Sequence, residues 1–285
     1  MGQVTSMSHH WAAHHWSAHR WSAHRWAAIV LAAGAGTRMG SDVPKPLHQI
    51  AGRAMLLRVL DALADVDAHP VVVVIGHGAD RVRSAVTSDA PNPNRLAFAH
   101  QTHLLGTGDA ARVGLLAFDD DATATDVVVL PGDTPLLRAS TVAELVSVHD
   151  RDDAAATLLT VHFDDPTGYG RIVRSDDGGI AEIVEQRDAR PEQAEINEVN
   201  TGFYCFRIAA LRAALRRLQP TNTQSEYYLT DVIGILAASG ASISAVTVAD
   251  PTEAMGVNDA DQLAACEHAL VARSVAQRQP GPKTG

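Results

Sequence analysis

Short apolar runs alternate with amphipathic stretches from residue 27 onwards, and this alternation constrains the fold more than any other feature of the sequence. The apolar runs predict strands buried on both faces, and they occupy residues 27–34, 71–76, 96–101 and 126–133. The amphipathic stretches have helical spacing, and they occupy residues 53–66, 79–88, 107–118 and 141–149. Strands that alternate with helices form a parallel sheet with helices on both faces, so the predicted fold class is α/β.

The chain becomes richer in strands after residue 150. Strand-like runs occupy residues 154–163, 200–207 and 242–248, and a hairpin around an Asp-Asp-Gly-Gly turn is predicted over 171–186. Helices are predicted over residues 208–218, 226–240 and 259–277. No segment has the composition of a linker, so we expect residues 151–258 to pack on residues 27–150 as a lid-like subdomain.

One local pattern marks where the fold begins, and another marks the start of a helix within it. A five-residue repeat of the type His-His-Trp-Ala-Ala tiles residues 9–28, and its period fits neither a helix nor a strand. We interpret residues 1–26 as a low-complexity, disordered leader and residues 278–285 as a disordered tail. Within the fold, Thr141 and Glu144 have the spacing of a capping box at the start of a helix.

The composition excludes two classes of partner. The chain has 33 Asp and Glu against 23 Lys and Arg, for a net charge of −10, and this argues against nucleic acid, which attracts clustered Lys and Arg. No apolar run approaches the roughly 20 residues of a membrane helix, so no membrane partner is expected. Cys205 and Cys266 lack metal-site spacing, and reduced thiols in the cytoplasm are the simplest interpretation.

A glycine-rich turn follows the first predicted strand. Gly34, Gly36 and Gly40 allow backbone N–H groups to approach an anion, and Arg38 and a proline-flanked Lys45 supply positive charge. The spacing fits neither the P-loop nor the dinucleotide fingerprint. We interpret the segment as a triphosphate site, the alternative being a plain turn with solvated cations.

Asp133 comes at the end of another buried strand. Open parallel sheets bind ligands at the carboxyl ends of their strands, and the glycine turn ends at the same edge. Mg²⁺ takes one or two protein oxygens and completes its shell with water and phosphate oxygens. Asp133 is therefore a candidate Mg²⁺ ligand, and the alternative is an ordinary turn aspartate.

Nine short motifs occur in the order and approximate spacing of one known family. They are LAAGAGTRM, SDVPKPLH, LGTGDA, GDTPLL, DDPTGYGRI, IVEQRDA, EVNTG, EYYLTD and GVND. Over about residues 27–270 the chain resembles the uridylyltransferase domain of bifunctional N-acetylglucosamine-1-phosphate uridylyltransferases. The resemblance implies a Rossmann-like nucleotide-diphospho-sugar transferase fold with a β-rich sugar-binding subdomain. It also implies Mg²⁺-dependent transfer of UMP from UTP to N-acetylglucosamine 1-phosphate, giving pyrophosphate and UDP-N-acetylglucosamine, a precursor of peptidoglycan.

The resemblance also assigns roles to single residues. Arg38 and Lys45 would be the catalytic cations on the UTP phosphates, and Asp133 and Asn258 would bind Mg²⁺. The nucleotide would lie along Leu31, Ala32, Gly34, Gln101, Gly106 and Thr107. The sugar would contact Gly170, Glu185, Asn200 and Tyr228. A buried amide such as that of Gln101 suits a pyrimidine edge, because it offers both a donor and an acceptor.

The sequence departs from the family pattern at three positions, Ala35, Pro46 and Asp109. Pro46 adjoins Lys45, and the charge of Asp109 is expected near the base. No hexapeptide repeats of the acetyltransferase half follow residue 258, and the oligomeric state stays open. Two other functions also stay open: a nucleotidyltransferase for another sugar or polyol phosphate, and a subunit that senses UTP or a UDP-sugar without turnover.

Overall fold

The computed structural model describes residues 26–118 and 124–278. Its strands are β1 (Trp26–Ala32), β2 (Gln49–Ile50), β3 (Arg53–Ala54), β4 (Val71–Ile75), β5 (Leu96–His100), β6 (Asp126–Pro131), β7 (Ala156–His162), β8 (Arg171–Arg174), β9 (Ile180–Val184), β10 (Glu198–Arg207) and β11 (Ile243–Thr247). Its α-helices are α1 (Met55–Asp65), α2 (Ala79–Asp89), α3 (Thr107–Leu116), α4 (Ala139–Arg151), α5 (Pro191–Ala194), α6 (Ile208–Leu215), α7 (Asp231–Ala238) and α8 (Ala260–Arg278). Short 3₁₀ turns cover Thr37–Met39, Lys45–Leu47, Pro93–Arg95 and Pro251–Ala254.

A central sheet organises the described residues. Its main path runs in the order β11, β7, β10, β6, β1, β4 and β5, and along this path only β10 is antiparallel to its neighbours. The hairpin of β8 and β9 branches from β10 through the pair Val199 and Arg171. The sheet is therefore mainly parallel and flanked by helices, and the predicted α/β class is confirmed.

The strand-rich second half extends the same sheet. Strands β7, β10 and β11 continue it beyond β6, so the two halves share one hydrogen-bonded layer. Residues 151–258 therefore join the first half by strand pairing, which satisfies the backbone groups of both halves at β6, and the lid-like role expected of them stays a prediction. Only the β8–β9 hairpin branches off the main path.

The core lies on both faces of the sheet, because successive side chains of a strand point to opposite faces. In β1, Ala28 and Val30 join one apolar cluster, while Ala27 and Ile29 join the other. The first cluster includes Leu56, Val59, Leu60 and Leu63 of α1, whose spacing is that of one helix face. The second includes residues of α3, α6 and α7. Helices thus cover both faces.

Three local predictions need correction. Helix α4 begins at Ala139, so Thr141 forms no capping box and its hydroxyl instead donates to Glu253 across 2.6 Å. The helix predicted over 226–240 is confined to α7, and residues 226–229 form a loop. The repeat pattern assigns Trp26 to the leader, but this residue begins β1 and is buried. The rest of the leader and residues 279–285 lie outside the described residues.

Two further expectations concern helices and thiols. None of the helices within residues 26–118 and 124–278 combines the length and apolarity needed to cross a membrane. Cys205 and Cys266 are both free and buried.

Candidate active site

A cavity of about 450 Å³ opens where β1 and β6 end. Its lining comes from the segments that follow β1, β5 and β6, with Glu226 from the second half of the chain. Seven predicted nucleotide or catalytic residues line it together with Asp133: Leu31, Ala32, Gly34, Lys45, Gln101, Gly106 and Thr107. The carboxyl ends of neighbouring strands therefore form one site, as expected for an open α/β sheet.

The glycine turn packs directly against Lys45. Gly36 and Gly40 flank the 3₁₀ turn Thr37–Met39, and both have left-handed backbone angles that favour glycine. A Cβ atom on Gly36 would lie 2.5 Å from Cβ of Lys45, whereas one on Gly40 would meet nothing within 4 Å. The absence of a side chain at Gly36 therefore makes room for Lys45.

The ammonium group of Lys45 joins two distant parts of the chain. Its Nζ atom donates to Oδ2 of Asp133 and, across 2.7 Å, to Oδ1 of Asn258. The backbone N–H of Val257 donates to the carbonyl of Asp133 across 3.0 Å, and this bond holds the segment before α8 beside the end of β6. The Lys45 side chain is only 14% exposed, so its charge is largely shielded from water.

Asp133 and Asn258 fit a site for a hard cation. Because both oxygens accept from the one Nζ atom, they lie within reach of a single positive charge. Within the residues that the structure describes, no group of three or more His, Cys, Asp or Glu side chains could hold a metal ion. A pair of oxygen ligands supplemented by water and phosphate oxygens is the set that Mg²⁺ uses.

A fixed amide also lines the cavity, that of Gln101. Gln101 follows β5, and its backbone N–H donates to the carbonyl of Ile75 across 2.9 Å. Its side-chain Nε2 donates to the carbonyl of Gly106 across 3.1 Å and to Oδ2 of Asp109 across 2.9 Å. The Thr107 hydroxyl accepts from the N–H of Leu229 across 3.0 Å, which fixes the start of α3.

Three predicted sugar contacts lie together: Gly170 immediately precedes β8, Glu185 immediately follows β9, and Asn200 lies in β10. The N–H of Asn200 donates to the carbonyl of Gly170 across 2.8 Å. A Cβ atom on Gly170 would lie 3.6 Å from both Asn200 Cβ and Glu185 Cδ, and 3.1 Å from Cγ2 of Ile183. Gly170 therefore keeps open a small space between an amide and a carboxylate.

Buried hydroxyl groups orient these two side chains. Oδ1 of Asn200 accepts from the Tyr204 hydroxyl across 2.9 Å and from the Gly202 N–H across 3.2 Å. Oε1 of Glu185 accepts from the Thr230 hydroxyl across 3.1 Å. Within the described part of the chain, Nδ2 of Asn200 and Oε2 of Glu185 have no further partner, so the pair offers a ligand one donor group and one acceptor.

Burial and like charges raise several pKa values around Glu185. Burial raises the pKa of Glu185 itself, and the neighbouring Asp231 and Asp188 carboxylates add to this. Burial, with Asp188 and Glu182, raises the pKa of Asp231 to about 6. Burial, with Asp188 and Glu185, raises the pKa of Tyr228 to about 12. The surroundings of Glu185 are therefore acidic, in contrast to the cationic glycine turn.

Two observations relate the predicted sugar contacts to the cavity. Because β10 runs antiparallel to β6, its first residues lie at the edge where β6 ends, and a Cβ atom on Gly202 would lie 3.6 Å from Pro131. Tyr169 adjoins Gly170, and its pKa is raised by burial, by Cys266 and by the charge of Asp133. The two predicted ligand regions therefore share one edge of the sheet.

The structure brings together most, though not all, of the predicted site. Arg38 is exposed on the turn Thr37–Met39 and does not line the cavity, so its role stays a prediction. Tyr228 is buried near the acidic group of Glu185. Of the departures from the family pattern, Ala35 and Pro46 line the cavity, and Asp109 contacts Gln101 without lining it.

The sequence placed Asp109 near the base without its contact to Gln101, and it gave no role to Tyr204 and Thr230, which hold Asn200 and Glu185 in place. Tyr204 follows Asn200 by four positions in β10, but the strand pairing is irregular between them, so the alternation of a regular strand does not predict their contact. The contact between Thr230 and Glu185 could not be predicted from a local pattern either, because 45 positions separate the two residues.

Comparisons with known proteins identify the family of the chain. A model of the MobA-like NTP transferase domain matches residues 28–222. Proteins called bifunctional protein GlmU from Mycobacterium sp. (strain KMS), Mycobacterium bovis (strain ATCC BAA-935 / AF2122/97) and Mycobacterium tuberculosis (strain ATCC 25177 / H37Ra) are each 50% identical over 252 residues. The match covers 88% of this chain and 50 to 51% of those proteins, so the chain spans about half the length of the curated relatives it matches.

Solved structures give the same fold. The crystal structure of HddC from Yersinia pseudotuberculosis complexed with GMP-PN has a TM-score of 0.62 and covers 85% of this chain and 98% of that chain. Its sequence identity is 19%, so this likeness concerns the fold alone. The family match, the relatives and the shared fold agree: the chain is a nucleotidyltransferase of the MobA-like NTP transferase domain family.

Proposed function

We propose that this chain transfers UMP from UTP to N-acetylglucosamine 1-phosphate, with UDP-N-acetylglucosamine and pyrophosphate as products and Mg²⁺ as cofactor. The observation that carries the proposal is the meeting of Lys45, Asp133 and Asn258 beside a cavity that Gln101 also lines. A cation and two oxygen ligands suit a triphosphate, and a buried amide suits a base. The relatives at 50% identity support the same reaction class.

Charge repulsion is the first obstacle to this reaction, because both substrates are anions. Lys45 is shielded from water, which strengthens its attraction for a phosphate oxygen. In the free protein its charge is matched by Asp133, so a bound phosphate would exchange with that carboxylate as the partner of Nζ. When bound at Asp133 and Asn258, Mg²⁺ would supply further neutralisation of the phosphate charge.

The chemistry is a displacement at the α-phosphorus of UTP. A phosphate oxygen of the sugar 1-phosphate forms the new P–O bond, and the bond between the α-phosphorus and the bridging oxygen of pyrophosphate breaks. No nucleophilic side chain is needed, so the protein acts by placing the two phosphates in line and by stabilising the negative charge. Lys45 on the nucleotide side and the Gly170 space on the sugar side perform these two tasks in the proposal.

The polarity of the sugar residues supports an N-acetylhexosamine. An acetamide group presents an N–H donor and a carbonyl acceptor, and hexose hydroxyls can do either. Oε2 of Glu185 accepts, and Nδ2 of Asn200 donates, which matches both ends of an acetamide. A sugar that left either buried group unpaired would bind more weakly, because an unsatisfied polar group costs about 1–3 kcal/mol.

A substrate panel tests the proposal. Purified chain is incubated with Mg²⁺, UTP and one of several sugar or polyol phosphates, and pyrophosphate release is measured. We expect the highest kcat/KM with N-acetylglucosamine 1-phosphate and little release when Mg²⁺ is removed by a chelator. Turnover with a different sugar phosphate alone would reassign the substrate within the same reaction class.

Two variants complete the test. Asp133→Ala removes a proposed ligand and is expected to lower turnover by at least about 100-fold, the size of effect seen when a group that stabilises transition-state charge is lost. Asp176→Ala removes an exposed carboxylate in the β8–β9 turn and is the matched control. If the wild type binds UTP but releases no pyrophosphate with any acceptor, the chain is a nucleotide-sensing subunit and the proposed reaction is wrong.

A further inference from the structure

Both hydrogen atoms of the Gln101 side-chain amide are already used within the protein. Nε2 donates to the Gly106 carbonyl across 3.1 Å and to the Asp109 carboxylate across 2.9 Å. An amide nitrogen has two N–H groups, so this donor capacity is exhausted. Oε1 accepts no hydrogen bond within the described part of the chain, and Gln101 lines the cavity. The one polar function that Gln101 retains for a ligand is therefore a carbonyl oxygen.

Asp109 decides which way this amide faces. The oxygen and nitrogen of a glutamine amide are similar in shape, and their partners determine the orientation. An ionised carboxylate and a backbone carbonyl can only accept, so neither could face Oε1 without placing two acceptors against each other. Gln101 and Asp109 are 4% and 6% exposed, so water cannot relieve such a mismatch.

A guanidinium group holds the Asp109 side chain in position. Arg112 lies one turn further along α3, and its guanidinium donates to Oδ1 of Asp109 across 2.5 Å while Oδ2 receives Gln101. Asp109 also lies in the first turn of α3, where the helix dipole favours negative charge. Each oxygen of the carboxylate therefore has its own donor.

We propose that Asp109, held by Arg112, is a positioning residue that makes Gln101 a carbonyl acceptor and so selects bases with a ring N–H, such as uracil, over cytosine. The inference rests on the proposed function for the claim that the cavity binds a nucleotide base. Uracil carries a hydrogen at N3 that can donate to Oε1, whereas N3 of cytosine is itself an acceptor. Two facing acceptors in a buried site are strongly unfavourable, so cytosine is rejected.

Nucleotide binding without the sugar phosphate provides the test. Dissociation constants for UTP and CTP are measured by calorimetry on the wild type, Asp109→Asn and Asp80→Asn. Asp80 is an exposed acid in the first turn of α2, so its variant controls for the loss of a charge at a helix start. In Asp109→Asn the new side-chain amide could donate to Oε1 of Gln101, and this leaves the Gly106 carbonyl alone to oppose the orientation in which the glutamine amide presents N–H to the base.

We expect the wild type to prefer UTP over CTP by at least tenfold. In Asp109→Asn the ratio of the CTP dissociation constant to the UTP dissociation constant should fall by about tenfold, while CTP binds as well as before or better. In Asp80→Asn this ratio should not change. A general structural loss would weaken both nucleotides equally and would overturn the inference, as would an unchanged ratio in Asp109→Asn or no preference in the wild type. If Asp109→Asn does not fold, Arg112→Gln is expected to lower the same ratio by a smaller factor, and an unchanged ratio there overturns the inference.

The binding data also separate this inference from the proposed reaction. A UTP preference that depends on Asp109, in a protein that releases no pyrophosphate with any sugar phosphate, would support the role of Asp109 and refute the reaction. Pyrophosphate release from CTP and UTP at equal rates in the wild type would support nucleotidyl transfer and would refute base selection by Asp109.

Discussion

Nζ of Lys45 donates a 2.7 Å hydrogen bond to Oδ1 of Asn258, although 213 positions separate the two residues. The same ammonium group contacts Asp133, so one cation connects the segment after β1, the end of β6 and the segment before α8. A small displacement of Lys45 therefore affects a proposed phosphate contact and both proposed Mg²⁺ ligands together. Gly36 in the glycine turn packs directly against Lys45, so a change at Gly36 is expected to displace the lysine.

Gly36→Ala is expected to lower kcat by at least tenfold. The new Cβ would lie 2.5 Å from Cβ of Lys45, so the lysine backbone must shift. Gly40→Ala is the matched control, because Gly40 has nearly the same left-handed φ, 60° against 61°, and no atom within 4 Å of its Cβ position. Each substitution strains the backbone by about 1–2 kcal/mol. Steady-state kinetics and thermal melts compare the two, and equal kcat values would show that the position of Lys45 is unimportant.

Gly170→Ala is expected to raise KM for the sugar phosphate by at least tenfold while KM for UTP stays within twofold. The methyl group would occupy the space between Glu185 and Asn200, and its 3.1 Å approach to Ile183 is expected to cost about 1–3 kcal/mol of stability. Gly234→Ala in α7 is the control, since its Cβ would meet only ordinary contacts and alanine favours helices. A Gly170→Ala enzyme with unchanged sugar KM would remove this space from the sugar site.

Tyr204→Phe tests how Asn200 is oriented. The hydroxyl is one of two donors to Oδ1 of Asn200, so its loss leaves the amide free to rotate. We expect a three- to tenfold rise in KM for the sugar phosphate and a loss of about 1 kcal/mol in the free energy of unfolding. Kinetics with each substrate varied in turn provide the measurement. A stability loss without any kinetic change would assign Tyr204 to the core alone.

Asp231→Asn is expected to stabilise the protein in a pH-dependent way. Burial, with Asp188 and Glu182, raises the pKa of Asp231 in the folded state to about 6, from its ordinary value of 3.8. The folded state therefore binds this proton more tightly than the unfolded state, and the contribution of Asp231 to stability falls as pH rises from about 4 to 6. The Tm advantage of the variant should grow over that interval and stay constant above it. Thermal melts of both proteins from about pH 4 to 8 measure the difference, and a constant difference would contradict the raised pKa.

Part of the site could be predicted from local sequence because its residues lie in short segments whose own pattern indicates their structure. Gly36 adjoins β1, and Asp133 follows β6, so identifying two buried strands was enough to place both at one edge of the sheet. Lys45 lay close enough in the chain to share that prediction. Asn258 had no such signal, and only the family resemblance pointed to it.

Other features depended on pairings that no short pattern encodes. The sequence placed a negative charge at position 109 near the base, but the contacts with Gln101 and Arg112 depend on how α3 packs against the end of β5. Likewise, the strands of the second half have the same apolar pattern whether they form a separate layer or extend the first sheet. The sequence of a strand does not specify its partner, so the pairing of β10 with β6 depends on how the whole sheet assembles.

By itself the sequence determined the α/β class, the order of most elements and the glycine turn with its cation, because these follow from periodicity and from the steric freedom of glycine. Only the tertiary structure decided that Lys45 lies against both Asp133 and Asn258, that Gln101 exposes its carbonyl oxygen, and that Asn200 and Glu185 offer opposite polarities. The physical reason is that hydrogen bonds act over about 3 Å, so which groups pair depends on where distant segments meet in space.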